Sequence, residues 1–366
     1  LKAGIRNPGN AALSNRQPES GKTINGIFCK AGSCDASVEL QKNLLFSANL
    51  EGYLLMTADR PNLFALMRAP FFSSIFAPLL AGTLLAVLSR GEFSLAGFAA
   101  MLVMGVGLHA ATNVYNDIYD TLQGTDRINL HRNDFSGGSG FLIAHPELLP
   151  RMYRIARNSL LVAAAAAVAL IAFSEPRFWP WLIGLYLLSA FFSKYYTAAP
   201  IKLSYRGLGE VSVWFAFGPM AILVAAISQN TLFHPYVVAA MPITGLSTSS
   251  ILWMGQMIDL QADSSAGKHG MVARIGSQRG RWGFLLIHLL LIANILVLGL
   301  WVLPHGWPIL AALIPYLLLL PRTWKTVNRF HDQPDHLKAA AASNVQIHLL
   351  MSALLVLGLG TILVLK

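Results

Sequence analysis

The residues best equipped for chemistry lie in Asn113-Val-Tyr-Asn116-Asp117-Ile-Tyr-Asp120-Thr-Leu-Gln-Gly124-Thr-Asp126, where two asparagines and three carboxylates close a long apolar run. On a helix turning about 100° per residue, His109, Asn113, Asn116, Asp117 and Asp120 fall within an arc of about 100°, which gives that run one polar stripe. Carboxylates are costly against lipid and, within membranes, usually face a bundle interior or a wet cavity. A hydrated helix end would accommodate them too. Spaced as D-x-x-D-x5-D, however, the three acids can converge on a hard divalent cation, and a metal site is the first reading.

A second acidic pair sits at the corresponding end of a later run, in Gly255-Gln256-Met-Ile-Asp259-Leu-Gln-Ala-Asp263, followed by Gly267-Lys268. Asp259 and Asp263 are one turn apart and share a helix face with Thr248 and Gln256. Two like charges at that spacing repel, so a counter-cation is expected between them or between the two clusters; a hydrated terminus is again the alternative. Five acids suit Mg²⁺, which takes oxygen ligands and often joins one or two carboxylates to substrate phosphates. Arg68, Arg132, Lys194, Lys202, Arg206, Lys268 and Arg274 fall on the same side of the apolar runs. Acids alone would suggest cation transport, whereas acids ringed by these bases suggest a metal-bound phosphate or diphosphate. Lys202, Arg206 and Lys268 are the best placed, with Arg68 opening the first run, although topology alone would collect bases there. The turn Asn133-Asp134-Phe-Ser136-Gly137-Gly138-Ser139-Gly140 could offer backbone N–H groups to an anion, or simply connect. His109 is either a ligand or base, or an interior histidine whose bonds are satisfied.

The elements that must position these groups follow from composition. Of 366 residues, 55% are hydrophobic and 12% charged, with a mean hydropathy of +0.54. That excludes an ordinary soluble domain and indicates an all-α, polytopic membrane bundle. Residues 1–62 are polar and aperiodic and read as a tail, with a short interfacial helix near 43–56; residues 63–366 form the membrane domain. Cys29 and Cys34 lack the second ligand pair of a zinc site. Gly21-Lys22-Thr23 is not a phosphate loop, because Arg16 stands where its first glycine belongs.

Nine apolar runs follow, at about 68–89, 93–118, 151–173, 178–195, 207–228, 236–260, 282–303, 308–320 and 344–365, the eighth short for a full span. The second, at about 1.5 Å per residue, is about 39 Å long, which carries its acids to a membrane edge. Of the 27 Lys and Arg, 24 fall on the side of the N-terminus and of the loops after even-numbered runs, which places that side in the cytoplasm with the acids. Net charge is +10, and a lipid bilayer rather than nucleic acid is the partner expected. Acid clusters at the same ends of the second and sixth runs, four apart, suggest a duplicated four-helix unit facing one cavity.

N-D-x-x-D with a trailing Asp, followed by D-x-x-x-D on a later helix, resembles the UbiA superfamily of intramembrane prenyltransferases. Asn116-Asp117-x-x-Asp120-x-x-x-Gly124-x-Asp126 looks like its 1,4-dihydroxy-2-naphthoate polyprenyltransferase (menaquinone) branch. So does Tyr196-Thr-Ala-Ala-Pro200-Ile-Lys202-Leu-Ser-Tyr205-Arg206-Gly-Leu-Gly209-Glu210, and Arg68-Ala-Pro70 is similar to the family's opening helix. The resemblance covers about 65–365. It implies nine helices around a cavity open sideways to lipid, in a bacterial inner membrane. Asp117, Asp120 and Asp126, with Asn113 and Asn116 in support, would hold one Mg²⁺, and Asp259 and Asp263 a second. The ions would neutralise the leaving diphosphate of a polyprenyl donor, and an aromatic acceptor would attack the allylic cation. Two departures stand out. Relatives tend to carry Asn-Asn-x-Arg where this chain has Gly255-Gln256-Met257-Ile258, and Thr-Leu after Gly267-Lys268 where it has His269-Gly270. They leave open another aromatic or lipid acceptor; a cation-coupled transporter is the reading from a different class.

Overall fold

The computed structural model describes residues 61–129, 131 and 138–366, with the backbone of 23–24 and 27–28. The cysteines, segment 43–56, and residues 132–137 of the Gly/Ser turn with its neighbouring Arg132 lie outside the described residues. Thr23–Ile24 (β1) and Ile27–Phe28 (β2) pair antiparallel. Contacts divide the chain into Leu1–Met56 and Thr57–Lys366, and the helices among the described residues belong to the second unit.

Eight helices among the described residues are long and apolar enough to cross a bilayer. They are α1 (Ala69–Arg90), α2 (Leu95–Leu122), α3 (Pro146–Ala172), α5 (Gly209–Ser228), α6 (Pro235–Ser265), α7 (Ser277–Val302), α8 (Trp307–Phe330) and α9 (Pro334–Leu365). Between α3 and α5 lies α4 (Trp179–Tyr195), whose 17 residues are extended by the 3₁₀ turn Pro176–Phe178. The fold is thus all-α, as the apolar runs indicate. The eighth run is longer than its hydropathy suggests, because the 3₁₀ turn Trp307–Leu313 and the polar segment Leu320–Phe330 continue it at either end.

Local chemistry sets the ends that matter. Ser94 caps α2 by accepting from Gly97 N (3.1 Å), and the helix stops where Gly124 adopts φ +88°, a conformation that costs a residue with a Cβ. The chain then turns into the short helix Thr125–Ile128, so Asp126 is delivered by a separate element and not by α2. In α5, Pro219 lacks a backbone N–H to donate, and the helix widens into a π turn over Ala216–Met220. That bulge carries Ala216, Phe217 and Met220 into the wall of the cavity described below.

Helix α2 packs on α3 and α4, α1 on α5 and α9, and α6 on α1, α5, α7 and α9. Leu79, Leu85, Met101, Met104, Ile222 and Ile243 share one buried cluster with Phe284. Large apolar side chains remain exposed, among them Leu161, Val168, Leu187, Trp301, Leu317 and Leu357. Such a surface is stable against acyl chains and not against water, and the protein is an integral membrane protein.

Candidate functional site

A cavity of about 290 Å³ opens between α1, α2, α4, α5 and α6. Its polar end is lined by Asn113, Asn116, Asp120 and Asp126 from one side and by Gln256, Asp259 and Asp263 from the other; Arg68, Tyr196 and Lys268 complete the rim. All four of these carboxylates are buried. The acids of the second and sixth spans therefore border one space, the arrangement on which a shared metal–phosphate site depends.

Lys268 shows how close they come. Its ammonium lies 3.1 Å from Asp120 Oδ2 and 3.7 Å from Asp263 Oδ1, so a single cation already spans both motifs. Burial pulls the ammonium toward neutrality, but the carboxylates of Asp120 and Asp263 outweigh it and hold the pKa well above lysine's ordinary value. The other oxygen of Asp120 accepts from Tyr205 Oη (2.8 Å), which also bonds Thr125 Oγ1 (2.7 Å). Burial, with Asp120 next, raises the Tyr205 phenol, so it stays a protonated donor. Asp126 accepts from Thr121 Oγ1 (3.2 Å) and Gly138 N (3.0 Å), and Asp259 from Asn129 Nδ2 (2.8 Å).

Lys268→Met leaves Asp120 and Asp263 facing each other without their shared counter-ion. We expect the variant to lose about 2 kcal/mol of stability in metal-free detergent, less than a fully dry pair because the lysine side chain is 18% exposed. Thermal unfolding checks this, and a divalent cation should restore most of the loss.

Not every expected ligand reaches the cavity. Asp117 is buried, but it does not line the space; its oxygens accept from Ser139 N (2.6 Å) and, in a short bond, from Ser139 Oγ. The helical wheel gives the reason. His109, Asn113, Asn116 and Asp120 lie within about 60° of one another, and Asp117 stands at the edge of that stripe. Lys202 and Arg206 are also placed off the cavity. The Lys202 ammonium lies 5.2 Å from the Tyr205 ring centroid, and Arg206 donates to Pro200 O (2.9 Å). In the described part of the Gly/Ser turn, Gly138 and Ser139 do offer N–H groups to anions, and those anions are the chain's own Asp126 and Asp117.

Three residues outside the acidic motifs join the site. Tyr205 and Asn129 orient carboxylates, as above. Glu210, buried at the start of α5, accepts from Gln256 Nε2 (2.6 Å) and Met271 N (2.7 Å), while Gln256 Oε1 accepts from Val272 N (3.2 Å). This clamp fixes the loop that carries Lys268. Glu210 was legible as an acid at the edge of an apolar run, opening its run where the aspartates close theirs; Asn129 carried no such signal.

The donor set is all oxygen, which fits a hard cation. No group of three or more His, Cys, Asp or Glu among the described residues is gathered tightly enough to hold an ion unaided. Mg²⁺ shared with substrate phosphates and water makes no such demand, and the Lys268 ammonium marks where positive charge is wanted.

Comparison with known proteins gives the family and the fold. The profile described as the UbiA prenyltransferase family matches residues 75–350. The chain is 26% identical over 308 residues to 2-carboxy-1,4-naphthoquinone phytyltransferase of Synechocystis sp., covering 83% of this chain and 94% of the relative. It is 25% identical to 1,4-dihydroxy-2-naphthoate octaprenyltransferase of Bacillus subtilis, covering 81% and 91%. A solved UbiA homolog from Archaeoglobus fulgidus bound to DMAPP and Mg²⁺ superposes with a TM-score of 0.54 at 14% identity, over 81% of this chain and 99% of that one.

Proposed function

The chain belongs to the UbiA prenyltransferase family, and from that premise we propose that it transfers a polyprenyl group from an allylic diphosphate to 1,4-dihydroxy-2-naphthoate, in a Mg²⁺-dependent reaction of menaquinone synthesis. The observation that carries the reading is the sharing of one ammonium by Asp120 and Asp263. It puts acids of both motifs within reach of one diphosphate. Two Mg²⁺ ions, when bound, would supply the charge that neutralises the diphosphate oxygens and eases cleavage of the allylic C–O bond.

The chain's own groups do the rest. Asn116, Asp120 and Asp126 would hold one ion and Asp259 and Asp263 the other. Asn113 lines the same cavity and donates to Met67 O (3.1 Å), which ties the segment carrying Arg68 to α2. Tyr205 keeps the Asp120 carboxylate turned inward. Lys268 and Arg68, both lining the cavity, would meet the diphosphate oxygens. Asp117 serves by tying Ser139, and with it the chain entering α3, to the end of α2. Tyr196 and Gln256 shape the rim. The apolar remainder of the cavity, including Leu79, Met104, Leu108, Phe217 and Val224, suits the isoprenoid chain. The acceptor follows the two relatives, both named for a 2-carboxylated naphthalene oxygenated at positions 1 and 4. We place the protein in a bacterial cytoplasmic membrane with its N-terminus and acids on the cytoplasmic side, on the distribution of basic residues.

Purified protein given octaprenyl diphosphate, Mg²⁺ and 1,4-dihydroxy-2-naphthoate should release diphosphate and yield a C-prenylated ring by mass spectrometry. Retention of diphosphate with every hydroxylated aromatic tried would overturn the reading. Gly138 offers a finer check, because a Cβ there would collide with the Asp126 carboxylate. Gly138→Ala should slow diphosphate release about 100-fold by displacing that ligand, with thermal unfolding little changed.

A further inference from the structure

A second space, a groove of about 510 Å³, runs between α2 and α3, walled by Val106 and Ala110 of one helix and Ile155 and Val162 of the other. Apart from Asn158 and Ser159 its lining is apolar. Val103 and Val162 are each about half exposed, so the groove opens outward onto the surface that faces acyl chains. It lies on the opposite face of α2 from Met104, Leu108 and Thr112, which line the cavity described above, and is a separate site. From Leu102 to Ala110 it follows α2 for about 12 Å, most of one leaflet's share of a hydrocarbon core of about 30 Å.

Cations stand at its acid-bearing end. On α3, Arg151, Asn158 and Val162 fall within about 40° of one another, with Arg154 at the edge of the same face. Neither arginine has an ion-pair partner among the described residues. The acid just before them, Glu147, lies 3.3 Å from His145 Nδ1. Asn158 is exposed about 10 Å along the helix from Arg151, where an amide facing acyl chains is costly. Its Oδ1 takes a long contact from Arg157 Nη2 (3.5 Å), which leaves the Nδ2 hydrogens to donate elsewhere.

We infer that this groove seats one anionic phospholipid, with an acyl chain between α2 and α3, an ester carbonyl accepting from Asn158 Nδ2, and the phosphate held by Arg151 and Arg154. An acyl chain alone accounts for the apolar walls but not for the stacked order of two arginines, an amide and a hydrophobic slot along one helix face. That order matches the phosphate, ester and chain of a phospholipid read from the headgroup inward. Guanidinium groups suit phosphate oxygens, and bases at a helix end beside the bilayer favour anionic headgroups. A prenyl diphosphate lacks the ester, and no acid lines this groove to hold its metal.

The test uses full-length protein in detergent micelles given phosphatidylglycerol or phosphatidylcholine, each with a photoreactive diazirine in the same acyl chain, and maps the labelled peptides by mass spectrometry. Phosphatidylglycerol should label Leu102–Ala110 and Ile155–Val162 about tenfold more than phosphatidylcholine does. Arg151→Gln with Arg154→Gln should bring that ratio below about twofold, while labelling around Leu317 on α8 stays as in wild type and reports an intact bundle. Val162→Trp, which fills the slot and leaves both arginines, should remove the label from the groove alone. Equal labelling by the two lipids would make this ordinary bilayer contact and overturn the inference. So would absence of label in the groove, as when another part of the chain fills it, or displacement of the label by a prenyl diphosphate but not by unlabelled phosphatidylglycerol.

Discussion

Asp120→Asn should reduce diphosphate release from a polyprenyl diphosphate about 1000-fold, whereas Asp117→Asn should reduce it less than about tenfold. Asparagine matches aspartate in shape and can still accept from Tyr205 Oη, so loss of activity in the first variant reports loss of negative charge. That charge sits inside the cavity, between the Tyr205 hydroxyl and the Lys268 ammonium. The Asp117 carboxylate is instead spent on Ser139, and an amide oxygen can keep the bond from the Ser139 backbone. Single-turnover release measured on both variants checks the ordering. A larger defect at Asp117 than at Asp120 would mean that the ligand-bound site recruits a different face of α2.

Asp259→Asn should cost about as much as Asp120→Asn, and the double variant little more than either alone. Asp259 borders the same cavity from α6, and neither cluster can grip a diphosphate without the other if the site is one unit. Groups that act together show this non-additivity, because the first loss removes what the second would have supplied. Independent roles would instead multiply the two defects to about a millionfold. Phosphate-release kinetics with saturating Mg²⁺ separate the outcomes.

The bundle was legible in the sequence because a bilayer imposes a length and a hydropathy that few other solvents do. The eighth span was less so, since Arg322, Lys325 and Arg329 make its distal half polar although it remains helical. The acids were legible for the same reason, as groups too costly to face lipid. Which of them line the cavity was not. A stripe of about 100° includes Asp117, and only the side of α2 turned toward α5 and α6 separates it from Asp120. Lys202 and Arg206 share a loop whose left-handed backbone at Lys202 (φ 49°) no spacing rule anticipates. Asp126 lies beyond the second run, and no spacing rule anticipates that Gly124 breaks the helix and lets its carboxylate return to Gly138 N.

The most direct test of a single site built from two helix ends is Mn²⁺ binding followed by electron paramagnetic resonance, with a prenyl diphosphate analogue present. Manganese should bind with ³¹P coupling from the diphosphate in wild type and lose that signal in both Asp120→Asn and Asp259→Asn. A phosphorus-coupled signal that survives either substitution would contradict a shared site.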